Sequence, residues 1–107
     1  MRVIYIAGAY RNNSLNGIFE NIMHSRKVAQ KLWHKGWAVI SPHCNSLFMD
    51  EGDDAMVFLD GDLEILRRCD AIYMLSNWRE SVGAMQERKQ AGEWGLEIYY
   101  EDEDGTV

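Results

Sequence analysis

The sequence predicts an α/β fold, a parallel sheet of about four strands with helices on both faces. Three observations lead there. Short apolar runs alternate with longer stretches of helical periodicity in the order β-α-β-α-β-α-β, and such alternation implies parallel strands joined by helical crossovers. Glycine or proline closes several of these segments. The chain has 107 residues, 47% of them apolar, which suits a single core of ordinary domain size. The expectation is therefore one domain over residues 1–107, three-layered and flavodoxin- or Rossmann-like, with an acidic tail from about residue 101 to 107.

The elements follow in order. Val3 to Gly8 is a short apolar run ending in glycine, the mark of a buried strand. Ala9 to Gly17 is polar and reads as a loop. Ile18, Ile22, Ala29, Leu32 and Trp33 recur at helical spacing, opposite Glu20, Arg26, Lys27, Lys31 and Lys35. That pattern predicts an amphipathic helix, with Gly36 as its C-terminal cap. Trp37 to Ser41 is the second strand, stopped by Pro42, and Pro42 to Asp54 is expected to be a long loop. Met56, Leu59, Leu63 and Leu66 form a second helical stripe, which Gly61 interrupts, so the helix is expected to start as late as that glycine. Asp70 to Leu75 is the third strand and Ser76 to Glu80 a loop. Ser81 is placed to cap a third helix that reaches about Gly95. Leu96 to Tyr100 is the fourth strand, and Glu101 to Val107 is expected to be solvated and frayed.

Charge and composition exclude several classes of function. A formal net charge of −6 opposes binding to duplex nucleic acid, which needs a basic surface. No stretch approaches the roughly 20 apolar residues of a membrane helix, and the N-terminus has no signal-peptide pattern. Cys44 and Cys69 stand alone, without metal-ligand spacing or a disulfide framework, so a reducing cytoplasm is the simplest location. One small anion remains compatible with the charge, because backbone N–H groups and a single cation suffice to hold it.

In open parallel sheets ligands gather at the carboxyl ends of the strands. That edge should carry Gly8 to Asn13, Ser41 to Asn45 and Ser76 to Ser81. Glu87 is the foremost candidate for chemistry. It lies between Ala84 and Ala91 on the apolar stripe that Trp94 extends, and a carboxylate facing a core is costly unless paired or used. It either serves a reaction or pairs with an arginine such as Arg67 or Arg88. Asp62 lies among Phe58, Ile65, Leu66 and Cys69 at helical spacing, and either works in the site or favours a helix dipole. Tyr5 shares a strand face with Val3 and Ala7, as a core aromatic or as a phenol orienting a carboxylate. The loop holding Gly8, Tyr10 and Arg11 has one glycine where the dinucleotide fingerprint needs three, so that fingerprint is absent. It can still offer N–H groups and Arg11 to an anion. Ser81 and Gly83 open a helix, a second natural anion site. His43 either touches a ligand base or is simply solvated. His24 and His34 belong to the polar face of the first helix. Trp33, Trp37 and Trp94 read as core or interface, whereas Trp78 sits with Arg79 on the ligand-side loop.

Together these pieces resemble the nucleoside 2-deoxyribosyltransferase superfamily. Tyr5 lies three residues before Gly8, Asp62 eight before Asp70, and Ser81 and Gly83 six and four before Glu87. This ordered set matches the family's tyrosine, aspartate and glutamate on a β-α-β frame over about residues 3 to 93. Two branches are relevant: the 2′-deoxynucleoside 5′-phosphate N-hydrolases, and a short phage-associated branch known only as a domain of unknown function. The run Asn77-Trp78-Arg79-Glu80-Ser81-Val82-Gly83-Ala84 looks most like the second.

The resemblance implies that Glu87 attacks C1′ of a deoxyribosyl group, that Asp62 handles the proton of the departing base, and that Tyr5 holds Glu87 in line. It implies substrate contacts from Gly8, Tyr10, Arg11, His43, Ser81 and Gly83, with no metal and no cofactor. The partner is a small deoxynucleotide or deoxynucleoside. At position 81 the branch acting on free nucleosides carries an aspartate, whereas the phosphate-specific hydrolases carry serine, so Ser81 implies a 5′-monophosphate. The resemblance also implies a homodimer or higher homo-oligomer, in which a polar residue near the neighbour's C-terminus completes each site. That residue falls roughly two dozen positions beyond the glutamate, and the count from Glu87 runs past Val107, so no equivalent is expected here. Two other readings stay open: a nucleotide-binding or sequestering module without turnover, and an interaction protein whose tryptophans form a partner surface.

Overall fold

A computed structural model describes residues 1–45 and 55–103. Four strands, β1 (Val3–Ala7), β2 (Ala38–Ile40), β3 (Ala71–Met74) and β4 (Glu97–Tyr100), form one sheet in the order β2-β1-β3-β4. Every pair is parallel, and Tyr5 stands opposite Ile40 on one side and Ile72 on the other. The expected α/β architecture is the observed one. The order reverses between β1 and β3, so their carboxyl ends flank the switch point where such sheets take ligands.

Four helical segments accompany the strands: α1 (Leu15–His34), the single turn α2 (Pro42–Asn45), α3 (Ala55–Arg67) and α4 (Val82–Glu93). Period-two alternation along β1 divides the core into two layers. Ile4 and Ile6 pack with Val28, Ala29 and Leu32 of α1. Tyr5 and Ala7 face the other way, onto Leu66 of α3 and Ala84 and Ala91 of α4. Leu66, Ile72 and Met74 are fully buried, and each such side chain stabilises the fold by about 1.5–3 kcal/mol.

The two long helices with described caps begin and end as their residues dictate. Ser14 caps α1 by accepting from Gly17 N, and Ser81 caps α4 by accepting from Ala84 N. Gly36 and Gly95 follow the two helices at φ +97° and +75°, a left-handed conformation that a side chain disfavours. Behind them Trp37 N donates to Leu32 O and Leu96 N to Ala91 O, the six-to-one bond of a Schellman turn.

Several expectations need correction. The segment after β2 is not a loop from its start, because Pro42 opens a helical turn whose Cys44 and Asn45 N–H groups donate to Ser41 O. Proline's fixed φ suits that first position. Residues 46 to 54 of the expected loop lie outside the described residues. The next helix starts at Ala55 and runs through Gly61, since the burial of Leu66 and the packing of Leu63 outweigh the weak propensity of one glycine. Of the tryptophans read as core or interface, Trp37 is buried, whereas Trp33 is 53% exposed and Trp94 37%, which leaves those two the interface alternative.

The acidic end also differs from its expectation. Glu101–Glu103 forms a 3-10 turn, and Glu101 accepts from Ser76 N and pairs with Nε2 of His24 at 3.0 Å. A backbone donor and an imidazole partner stop it fraying, and they give His24 a structural use. Residues 104–107 lie outside the described set. Among the described residues no helix is long and apolar enough to cross a membrane.

Gly61 supplies a stability test. It is exposed inside α3, and a Cβ built there meets nothing within 4 Å. Gly61→Ala should therefore stabilise the protein by about 1 kcal/mol. A thermal melt should show a rise of roughly 4–8 °C; an unchanged or lower Tm would refute this account of the helix.

Candidate active site

A cleft of about 500 Å³ opens at the carboxyl edge of the sheet, within the usual range for small-molecule sites. Among the described residues four pieces of chain wall it. The loop after β1 brings Gly8, Tyr10 and Arg11, and α2 brings His43. The middle of α3 brings Asp62, and the first half of α4 with its cap brings Ser81, Gly83 and Glu87. Of the candidate residues, all but Tyr5 line this one cleft, and Tyr5 lies beneath it, bonded to Glu87.

Glu87 is 7% exposed, and Ala84 and Ala91, about one turn to either side, are fully buried against the sheet. Its partner is neither arginine considered above. Arg67 pairs with Glu64, and Arg88 donates to the hydroxyl of Tyr100. The Tyr5 hydroxyl instead donates to Glu87 Oε2. Burial raises the Glu87 carboxyl to about 8, the Tyr5 bond pulls it down, and the charge of Asp62 pushes it up again. Burial and then the Glu87 charge hold the Tyr5 phenol well above its ordinary value, so it stays a neutral donor.

Asp62 sits in the middle of α3, too far from the helix start for the dipole to explain it. Burial raises its carboxyl to about 6. Asp62 and Glu87 each feel a low-dielectric cleft, and the Asp62 charge acts on Glu87, so their protons are coupled.

His43 is not solvated: it is 5% exposed, and its Nε2 lies 2.8 Å from Ala9 O. A carbonyl only accepts, so Nε2 carries the proton. Burial lowers the ring below its ordinary value, which favours the neutral form and leaves Nδ1 as a buried acceptor with no hydrogen-bond partner among the described residues. Its ring tilts against that of Tyr10 at a centroid distance of 5.6 Å. Arg11 lines the exposed mouth of the cleft. Ser81 combines two positions, as the cap of α4 and as cleft wall, and a Cβ at Gly83 would meet only ordinary contacts with Leu59 and Ser81. Trp78 and Arg79 turn away from the cleft: the Arg79 guanidinium stacks over Trp78, whose ring packs near Tyr100.

Sequence reasoning placed Phe58 around Asp62 and Leu59 on the helical stripe but assigned neither to the site, and both line the cleft. They precede Asp62 by one turn, so helical spacing from that residue could have found them. It also missed Asn77, whose Oδ1 accepts from Ala9 N at 2.9 Å across a sequence separation of 68; no local signal announces such a contact. Among the described residues no cluster of His, Cys, Asp or Glu is arranged to hold a metal ion.

The buried carboxyl makes stability depend on pH with a definite sign. Folded Glu87 binds its proton up to about 8, against an ordinary 4.5. Between those values the native state holds more protons than the unfolded chain, so stability falls as pH rises through that window. Glu87→Gln keeps the shape and removes the titration. Its Tm should equal that of the wild type near pH 4.5 and exceed it increasingly toward pH 8, by at least roughly 4–8 °C. A constant difference across the range would contradict this.

Comparison with known proteins places the fold. A search of curated proteins finds no match. Two solved structures share the fold: a 2-deoxyribosyltransferase from Leishmania mexicana, at TM-score 0.68 and 18% identity over 94% of this chain, and one from the psychrotolerant bacterium Bacillus psychrosaccharolyticus, at TM-score 0.70 and 23% identity over 92% of it. The chain spans 63% of the first protein's length and 70% of the second's. The fold implied by the family resemblance is thus the one found. A model of the domain of unknown function DUF4406 matches residues 2–100, and with nearly the whole chain covered, the protein belongs to that family.

Proposed function

We propose that this protein cleaves the N-glycosidic bond of a 2′-deoxynucleoside 5′-monophosphate, passing the deoxyribosyl group to water or to an acceptor base. The observation that carries the reading is the buried Glu87 carboxyl, gripped by Tyr5 at the wall of a cleft that also contains Asp62. Likeness of fold to deoxyribosyltransferases supports the same reaction class.

The steps balance without a cofactor. A Glu87 oxygen attacks C1′ while the bond from C1′ to the base nitrogen breaks, through an oxocarbenium-like transition state. The bond pair leaves with the base, which takes a proton from Asp62. Water or an acceptor base then attacks C1′ of the deoxyribosyl ester, Glu87 departs as carboxylate, and Asp62 recovers a proton. Between about 6 and 8 the two carboxyls share one proton. Turnover needs that proton on Asp62 and the charge on Glu87. The Tyr5 hydrogen bond pulls toward that arrangement by stabilising the Glu87 anion, against the larger effect of burial, which keeps the proton on Glu87 in the empty cleft.

A phosphate fits the opening of α4. Ser81 can donate its hydroxyl proton while accepting from Ala84, the helix N-terminus favours an anion, and Arg11 lines the same mouth. Glu80 shares that mouth but is exposed, which screens its repulsion. A second reading, nucleotide binding without turnover, gains from one observation: a Glu87 carboxyl near 8 is mostly protonated in the empty cleft at neutral pH.

Incubation with each deoxynucleoside and its 5′-monophosphate, followed by chromatography of released base, separates the readings. Base should appear from monophosphates with kcat/KM at least about 10-fold above the free nucleosides, and Glu87→Ala should lower the rate at least about 10³-fold with the fold intact. Binding without base release supports the second reading, and wild-type turnover in Glu87→Ala removes Glu87 from the mechanism.

We also propose a homo-oligomer, working in the cytoplasm. Leu15, Phe19 and Met23 form an exposed apolar row along α1 at four-residue spacing, and Val82 and Met85 are exposed on α4. Exposed apolar patches of this kind mark contact surfaces. Sedimentation at micromolar concentration should give a multiple of 12.4 kDa; a clean monomer mass would sink the idea.

A further inference from the structure

The loop that carries Tyr10 and Arg11 into the cleft is held by side chains, not by a ladder of backbone bonds. Ala9, at its base, is gripped at both polar groups. Its N–H donates to Asn77 Oδ1 at 2.9 Å, and its carbonyl accepts from His43 Nε2 at 2.8 Å. One residue on, Asn21 Nδ2 donates to Tyr10 O at 3.2 Å. The three side chains come from the segment after β3, from α2 and from α1, so they tie the cleft loop to three separate elements.

Asn77 is itself fixed. Its neighbour Ser76 donates its N–H to Glu101 Oε1, which also pairs with His24. The fit around it is tight. A Cβ on Gly8 would lie 2.9 Å from Asn77 Oδ1 and 2.6 Å from Leu75 Cδ1, so only glycine lets the strand end pass this close to the asparagine.

The geometry points to Asn77 as a positioning residue: through Ala9 it sets where Tyr10 and Arg11 stand in the cleft, so that the mouth is formed before a ligand arrives. Asn77 does not line the cleft, and its effect on a ligand passes entirely through the loop. Pre-formed placement matters because small displacements of a binding group are costly in rate and affinity. This inference rests on the proposed deoxynucleotide reading for the identity of the ligand, but not for the existence of the clamp.

Two readouts test it. Amide hydrogen exchange of Ala9 should be slow in the wild type and at least about 10²-fold faster in Asn77→Ala, the rest of the sheet staying protected. Asn77→Asp keeps the acceptor and should restore slow exchange. Gly8→Ala, which displaces the asparagine without removing it, should mimic Asn77→Ala. With a deoxynucleoside 5′-monophosphate as substrate, Asn77→Ala should raise KM about tenfold and leave kcat within about twofold, the pattern of lost uniform binding. Ala9 exchange as slow in Asn77→Ala as in the wild type overturns the inference, as does an unchanged KM. A wild type that neither binds nor cleaves the monophosphate, while Ala9 exchange still responds to Asn77→Ala, overturns the functional reading and upholds the clamp.

Discussion

The hydrogen bond from Tyr5 to Glu87 ties the central strand to α4, and much of the molecule is arranged around it. A carboxyl at this depth is expensive to ionise, and its pKa near 8 records that expense. The surroundings limit the cost without abolishing it. Tyr5 sits on β1, between β2 and β3, fully buried and unable to swing away. Ala84 and Ala91 lie on the same face of α4 as Glu87, and their small side chains let the helix settle close against the strand. The glutamate therefore reaches the phenol and the cleft at once. Larger residues at either alanine would lift the helix and part the pair.

The two edges of the sheet are built by different means. At the amino edge, α1 and α4 end in Schellman turns whose backbone bonds close on themselves with help from Gly36 and Gly95. Distant side chains add to them there: Asp70 Oδ2 accepts from Val3 N at 2.8 Å, and Arg2 pairs with Glu97. At the carboxyl edge short backbone turns follow β2 and β3, and side chains join the separate loops: Asn77 and His43 hold Ala9, Asn21 holds Tyr10, and Glu101 holds Ser76. Backbone closure leaves little room for a ligand. Side-chain ties keep an edge in place and leave a hollow between the loops, which is what the cleft is.

Much of this was legible in the residues. Alternating apolar runs and helical stripes specify strands and helices because burial needs period two in one case and 3.6 in the other. Serine before an apolar helix and glycine after it announce Ser81, Gly36 and Gly95 in their observed roles. Glu87 stood out as a carboxylate among alanines, and its burial follows from that stripe. Gly61 misled, because propensity is a local quantity and α3 is held by distant packing of Leu66. Glu101 misled for a related reason. An acidic run looks solvated until a backbone N–H and an imidazole, remote in sequence, are found beside it.

By itself the sequence determined the elements, their order and the residue types at the strand ends, since these depend on local periodicity, capping and charge. Only the tertiary structure decided the partners. The choice of Tyr5 over Arg67 or Arg88 for Glu87, the burial of His43, and the grip of Asn77 on Ala9 all join residues far apart in the chain. Such contacts exist because a parallel sheet gathers distant loops at one edge. Their energies depend on distance and desolvation, which a linear pattern of residue types does not contain.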